Sequence, residues 1–131
     1  MANLKNFTTR DAANRGVWVS IPDPLDGTDS GFRIQILGKD SDAYRKVEAT
    51  QRERAVRTAN TTGNFRITPE AIEQNALELL AVSTIGWDGL EDNGVDVPFT
   101  QDKAKELYRE YPFVREFVDR SVADRSLFTA R

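Results

Sequence analysis

Residues 86–96 read GWDGLEDNGVD and hold four carboxylates with no basic residue among them, so cation binding is the first chemistry this stretch suggests. The calcium loop of an EF-hand needs a glycine at its sixth position and a carboxylate at its first. Taking Gly89 or Gly94 as the sixth residue puts Thr84 or Gly89 first, and neither can serve. The acids Asp23, Asp26 and Asp29 fail in the same way, because Gly27 as the sixth residue puts Pro22 first. Paired carboxylates can also act as acid and base, but only when a rigid frame holds them at a working distance and shifts their pKa values. Nothing in either loop supplies that frame. The glycines form neither GxGxxG nor GxxxxGK[ST], so a phosphate cradle has no support. Both acidic stretches read as solvated, turn-rich connections.

The chain has no cysteine and no histidine. Together these absences remove disulfides, thiolate metal sites, the cysteine nucleophile, the commonest metal ligand and the usual base of a nucleophilic triad. The sequence therefore points away from catalysis and toward protein binding, with no cofactor and no metal expected. Its 18 basic and 21 acidic residues are interspersed, giving a formal net charge of −3 and no field that would draw nucleic acid or an anionic membrane. Five basic residues between Arg45 and Arg57 are interrupted by Glu48 and Glu53. They read as a solvated helix face, with a protein interface or a nucleic-acid contact as alternatives. The first residues are polar, without the apolar segment of a secretory signal. The longest nearly apolar run, residues 76–82, is far shorter than the roughly 20 residues that cross a bilayer. A reducing, cytosolic setting is expected.

The elements that must position these residues follow from periodicity. Residues 1–15 have no clear period and are expected to form a loosely held arm, with one domain over 16–131. VWVSI and FRIQIL, within 17–37, alternate as a β-hairpin, joined by a long turn-rich loop at 22–31. A helix over about 41–58, capped by Asp40 or Ser41, offers only Tyr44, Val47, Ala55 and Val56 for burial, and residues 59–64 prefer turns. Thr68-Pro69 starts a helix over about 68–84. Its face of Ile72, Ala76, Leu79 and Leu80, widened by Leu77, Ala81 and Val82, marks it as the centre of the core. Helices over about 100–111 and 113–126 follow, separated by Pro112. The first carries Ala104, Leu107, Tyr108 and Tyr111 at helical spacing, the second Phe113, Val114, Phe117, Val118 and Val122. The fold class is mainly α within α+β: an N-terminal hairpin, then about four short helices packed around the one at 68–84. Trp87, Phe99, Tyr108, Phe113 and Phe117 could each be core or surface anchors, and spacing alone leaves both readings open.

The order of features from about residue 71 to 128 resembles the tail assembly chaperones of siphovirus-type, long-tailed bacteriophages. An apolar helix, AIEQNALELLAVST, leads through Ile85-Gly86-Trp87 into an acidic glycine-containing loop. Val97-Pro98-Phe99-Thr100 then opens a short helix, and Pro112 precedes an aromatic last helix, FVREFVDRSVADRSLF. The resemblance implies a protein that binds the long tape measure protein, shields its apolar helices and recruits tail tube protein. It implies further that the protein acts in the host bacterial cytoplasm and is absent from the mature virion. Relatives often occur as a short form and a frameshifted longer form, and the ending SLFTAR looks like the short one, so association with itself or with a longer form is expected. In this reading Trp87, Phe99, Tyr108, Phe113, Phe117 and Phe128 contribute the client surface, while Tyr44, Val47 and Arg54 serve self-association. The rival readings are a minor tail or head–tail connector protein and a small nucleic-acid-binding regulator.

Overall fold

The computed structural model describes residues 1–63 and 67–129. Asn64, at the end of the expected turn segment, and residues 130–131 of the expected domain lie outside them. The element order begins with a 3-10 turn at Leu4–Phe7 and the short helix α1 (Arg10–Arg15), followed by strands β1 (Val17–Pro22) and β2 (Asp29–Ile36). Helices α2 (Asp42–Thr62) and α3 (Pro69–Ser83) come next, then strands β3 (Thr84–Asp88), β4 (Glu91–Asp92) and β5 (Val95–Asp96). Helices α4 (Gln101–Glu110) and α5 (Pro112–Ala123) and a 3-10 turn at Arg125–Phe128 complete it. The protein is α+β, with an N-terminal hairpin and a helical layer.

Alternation builds the sheet. Phe32, Ile34 and Ile36 of β2 point inward and are buried, whereas Arg33 between them faces out. The hairpin pairs Val19 with Ile34 and Trp18 with Gln35. On the far side of β2 lies β3, antiparallel, with Ile34 opposite Trp87 and Arg33 opposite Asp88. β2 is therefore the central strand of three. On the outer face the Arg33 guanidinium forks onto both Asp88 oxygens (3.1 and 2.5 Å) and lies 4.6 Å over the Trp18 ring, a cation–π contact.

The helices start where hydroxyl caps allow. Ser41, Thr68 and Thr100 each accept the backbone N–H three residues on, which satisfies one of the donors that a helix start leaves free. α3 touches α2, α4, α5 and β3, so the expected packing around this helix holds. Its buried stripe is Leu77, Leu80 and Ala81, and the core joins these to Phe32, Ile34, Ile36, Trp87, Tyr108, Val118, Val122 and Phe128. Inside that core the Tyr108 hydroxyl donates to Thr84 Oγ1 (2.6 Å), which donates onward to the Leu80 carbonyl (2.8 Å). The chain of bonds lets a phenol sit where water cannot reach, and burial pushes its pKa up to about 12.

Four features depart from the sequence-based expectation. The expected loose arm is loose only in part. Leu4 and Phe7 are exposed, but Ala12 and Ala13 of α1 are buried in the core, and Ala13 accepts the Gly38 N–H. Two alanines are too short an apolar signal to show a period, and their burial comes from distant partners. β3 lies in what reads as the end of a helix and a solvated connection, because its pairing with β2 is supplied by residues some fifty positions away. Ile72, expected in the core, is 58% exposed, because the buried part of α3 begins only at Leu77. α2 runs past position 58 to Thr62, with the Thr58 and Thr61 hydroxyls bonded back to carbonyls four residues earlier.

Asp40, just before α2, accepts from Arg125 (2.8 and 2.9 Å), Thr9 (2.6 Å) and Arg45 (3.1 Å). The Arg125 hydrogen bonds above all, helped by Thr9 and Arg45, hold its carboxyl well below the ordinary 3.8. A carboxyl whose pKa is depressed by folding stabilises the native state above its unfolded-state pKa and loses that contribution as pH falls below it. Asp40→Asn should therefore lower the urea midpoint by a constant amount above about pH 5, with the gap to the parent closing below about pH 4. Equal gaps at pH 7 and pH 3 would show that the carboxylate charge is not what matters.

Candidate functional site

Asn93-Gly94 is the strongest short signal for a tight turn, and both residues adopt left-handed φ values, 50° and 83°. This turn folds residues 91–96 into the small hairpin β4–β5, which pairs Glu91 with Asp96 and Asp92 with Val95. The hairpin is pinned at its base: the Val97 N–H donates to the Leu90 carbonyl, and Trp87 Nε1–H donates to the Val97 carbonyl (2.9 Å). Trp87 itself is buried, with Phe32 and Phe99 set edge-on at ring distances of 5.9 and 5.1 Å.

Opposite this hairpin the chain turns from α4 into α5. Proline disfavours helical geometry in the residue before it, so α4 ends at Glu110 and Tyr111 leaves the helical conformation (φ −124°, ψ 86°). That break swings Tyr111 out of the α4 stripe and leaves it 59% exposed beside Phe113 at 40%. Between hairpin and corner run two adjoining depressions of about 450 and 640 Å³, which share Phe32, Leu90, Glu91, Glu110, Tyr111 and Val114. Trp87 and Leu107 line one end of this groove, Pro24 and Phe113 the other. Next to Pro24, Leu25 stands 92% exposed on a turn made rigid by the Asp23 and Asp26 side chains, which accept the Leu25 and Thr28 N–H groups.

The groove is apolar on its floor and acidic on its rim. Chemically it offers non-directional burial and negative charge. Among the described residues no group of three or more Asp or Glu is placed to hold a metal ion. A larger depression of about 910 Å³ lies near Thr9, Arg10, Asp40 and Arg125, but its charges are already matched: Arg10 pairs with Asp42, and Arg45 and Arg125 pair with Asp40.

The candidate contact residues divide. Tyr108 and Phe128 are enclosed in the core between sheet and helices, and Trp87, largely buried in the same core, reaches the surface only as part of the groove's floor. Phe99 and Phe117 are half-buried against that core, and Phe113 is exposed. Tyr111, Leu25, Glu91, Asp96 and Glu110 are missing from the sequence-based set. The signal for Tyr111 was present, since the residue before a proline leaves the helix. Of the residues expected to serve self-association, Tyr44 packs on the core, Val47 is half-buried, and Arg54, more than half exposed, pairs with Glu78 (3.7 Å). Among the described residues no helix is long and apolar enough to cross a membrane. Compared with known proteins, the chain matches no family model, no curated protein and no solved structure.

Proposed function

We propose that this protein is a tail assembly chaperone of a long-tailed bacteriophage, one that holds the tape measure protein and recruits tail tube subunits while the tail is built. The observation that carries the reading is the groove at the α4–α5 corner. Tyr111 and Phe113 stay outside the core, as Phe7 and Trp18 do elsewhere, and these two stand side by side next to a channel with an apolar floor. Exposed apolar surface rimmed by polar residues marks protein contact, and grooves of this kind accept apolar faces of helices. The order of features over residues 71–128 supplies the identity of the client, through the resemblance to phage tail assembly chaperones. On this reading the protein works in the host cytoplasm and is left out of the finished particle.

Co-expression with a tape measure segment tests the proposal. The parent should keep the segment soluble and co-purify with it. Truncating a hot-spot aromatic at an interface costs about 2 kcal/mol or more, roughly 30-fold in affinity, so if Tyr111 and Phe113 anchor the client, Tyr111→Ala with Phe113→Ala should weaken capture by at least that much. Both side chains are exposed, so melting should change little. Undiminished capture by this double variant would remove the groove from the mechanism. Stoichiometric recovery of the protein from purified particles would replace the chaperone reading with a structural one.

A further inference from the structure

The charge around the groove is one-sided. Glu91, Asp92, Asp96, Glu106 and Glu110 line it, against a single base, Lys103, which is itself paired with Glu106 (3.5 Å). Elsewhere Asp40, Asp42, Glu48, Glu73, Glu78 and Asp88 each pair with an arginine. Acids of other exposed segments, such as Asp11, Glu53 and Glu70, also go without an ion pair among the described residues, and what sets the groove apart is that its acids gather around one apolar channel. Among the described residues Glu91, Asp92, Asp96 and Glu110 make no ion pair. Moreover, Glu91 stands directly opposite Asp96 in the β4–β5 ladder, a like-charge placement that disfavours the hairpin in isolation. The hairpin is nonetheless fixed in place by its turn and by the Trp87 and Val97 hydrogen bonds. A rigid rim of unmatched carboxylates therefore borders an apolar channel.

We infer that the groove between the β4–β5 hairpin and the α4–α5 corner receives a polypeptide segment whose apolar anchors are flanked by lysine or arginine. Charge complementarity selects that occupant: the floor takes aliphatic or aromatic side chains, and the rim takes the flanking cations. A phosphate-bearing polymer is repelled by the same rim. The inference rests on the reading of this surface as a client site and adds which client segment is chosen. It also assigns Glu91, Asp96 and Glu110 as specificity-determining residues.

Two synthetic peptides with the same Leu- and Phe-bearing stripe, one flanked by lysines and one by glutamates, provide the test. They are titrated into the full chain at low salt. The lysine peptide should bind at least about tenfold tighter, and the preference should shrink as salt screens the rim. Its binding should shift backbone amide signals of residues 89–97 and 107–114. Glu91→Lys with Asp96→Lys, both exposed, should reverse the preference. Glu110→Lys alone, away from the hairpin, should reduce it, so a misfolded hairpin variant cannot decide the outcome. Equal affinity for the two peptides, signal changes confined to other surfaces, or a preference indifferent to both variants would overturn the inference. The two readings fail separately. Tape measure capture that survives charge reversal sinks only the selection by charge, whereas peptide discrimination without capture of any tail component sinks the chaperone reading and leaves the site.

Discussion

Gly89→Ala should lower stability by about 3–5 kcal/mol, which in a chain of this size is a fall in Tm of about 10–20 °C. Gly89 has a φ of 77°, and a Cβ placed there would lie 2.0 Å from the Gly31 carbonyl oxygen and 3.1 Å from its carbon. Two costs combine. The left-handed backbone is strained for alanine by about 1–2 kcal/mol, and the new atom meets main chain at the start of β2, which no rotamer change can move aside. Gly27→Ala separates the two, because Gly27 has nearly the same φ, 76°, and open space around it. It should show only the strain. Thermal melts of the two variants side by side give the steric part by difference, and equal losses would mean that Gly31 and Gly89 are not in close approach.

Trp87→Ala should cost a comparable amount, about 3–5 kcal/mol, the usual range for emptying a buried aromatic site. The indole spans Phe32 of β2 and Phe99 before α4, and its N–H holds the Val97 carbonyl. Removing it takes the floor from the groove and the pin from the hairpin together. Trp87→Phe keeps a ring between the two neighbours and leaves the carbonyl to find water, so it should cost only about 1–2 kcal/mol plus the smaller ring's lost packing. Urea unfolding gives both values. Hydrogen exchange at the Val97 amide should accelerate in the alanine variant more than in the phenylalanine variant, because the Leu90–Val97 hydrogen bond is what the indole protects.

Periodicity revealed what local patterns encode. Phe32, Ile34 and Ile36 alternate, and β2 lies where they do. Ser41, Thr68 and Thr100 have the chemistry of caps, and three helices begin beside them. Elements made by distant partners left weaker traces. Thr84, Ile85 and Trp87 are residue types that favour strands, but the segment follows α3 without a turn and is broken by a glycine, so the signal stays weak until β2 is alongside. Ala12 and Ala13 are likewise buried by what folds around them. The site was half visible: Phe113 was named from its stripe, but the same stripe logic named Tyr108, which the core encloses, and Phe128, expected on the client surface through the resemblance, is enclosed as well. Helical spacing tells which residues share a side, not which side meets water. Tyr111 shows the converse, since its place in a stripe is cancelled by the proline that follows it.

The bonds at Asp40 bear on the order of events as the chain folds. Its partners lie 31 residues before it and 85 after it, apart from its near neighbour Arg45. Contacts that close such long loops are formed after local ones, when most of the chain entropy has already been given up. Losing these bonds should thus leave the refolding rate nearly untouched and hasten unfolding instead. Asp40 acts as a latch closed last, setting how long the native state endures rather than how quickly it is reached.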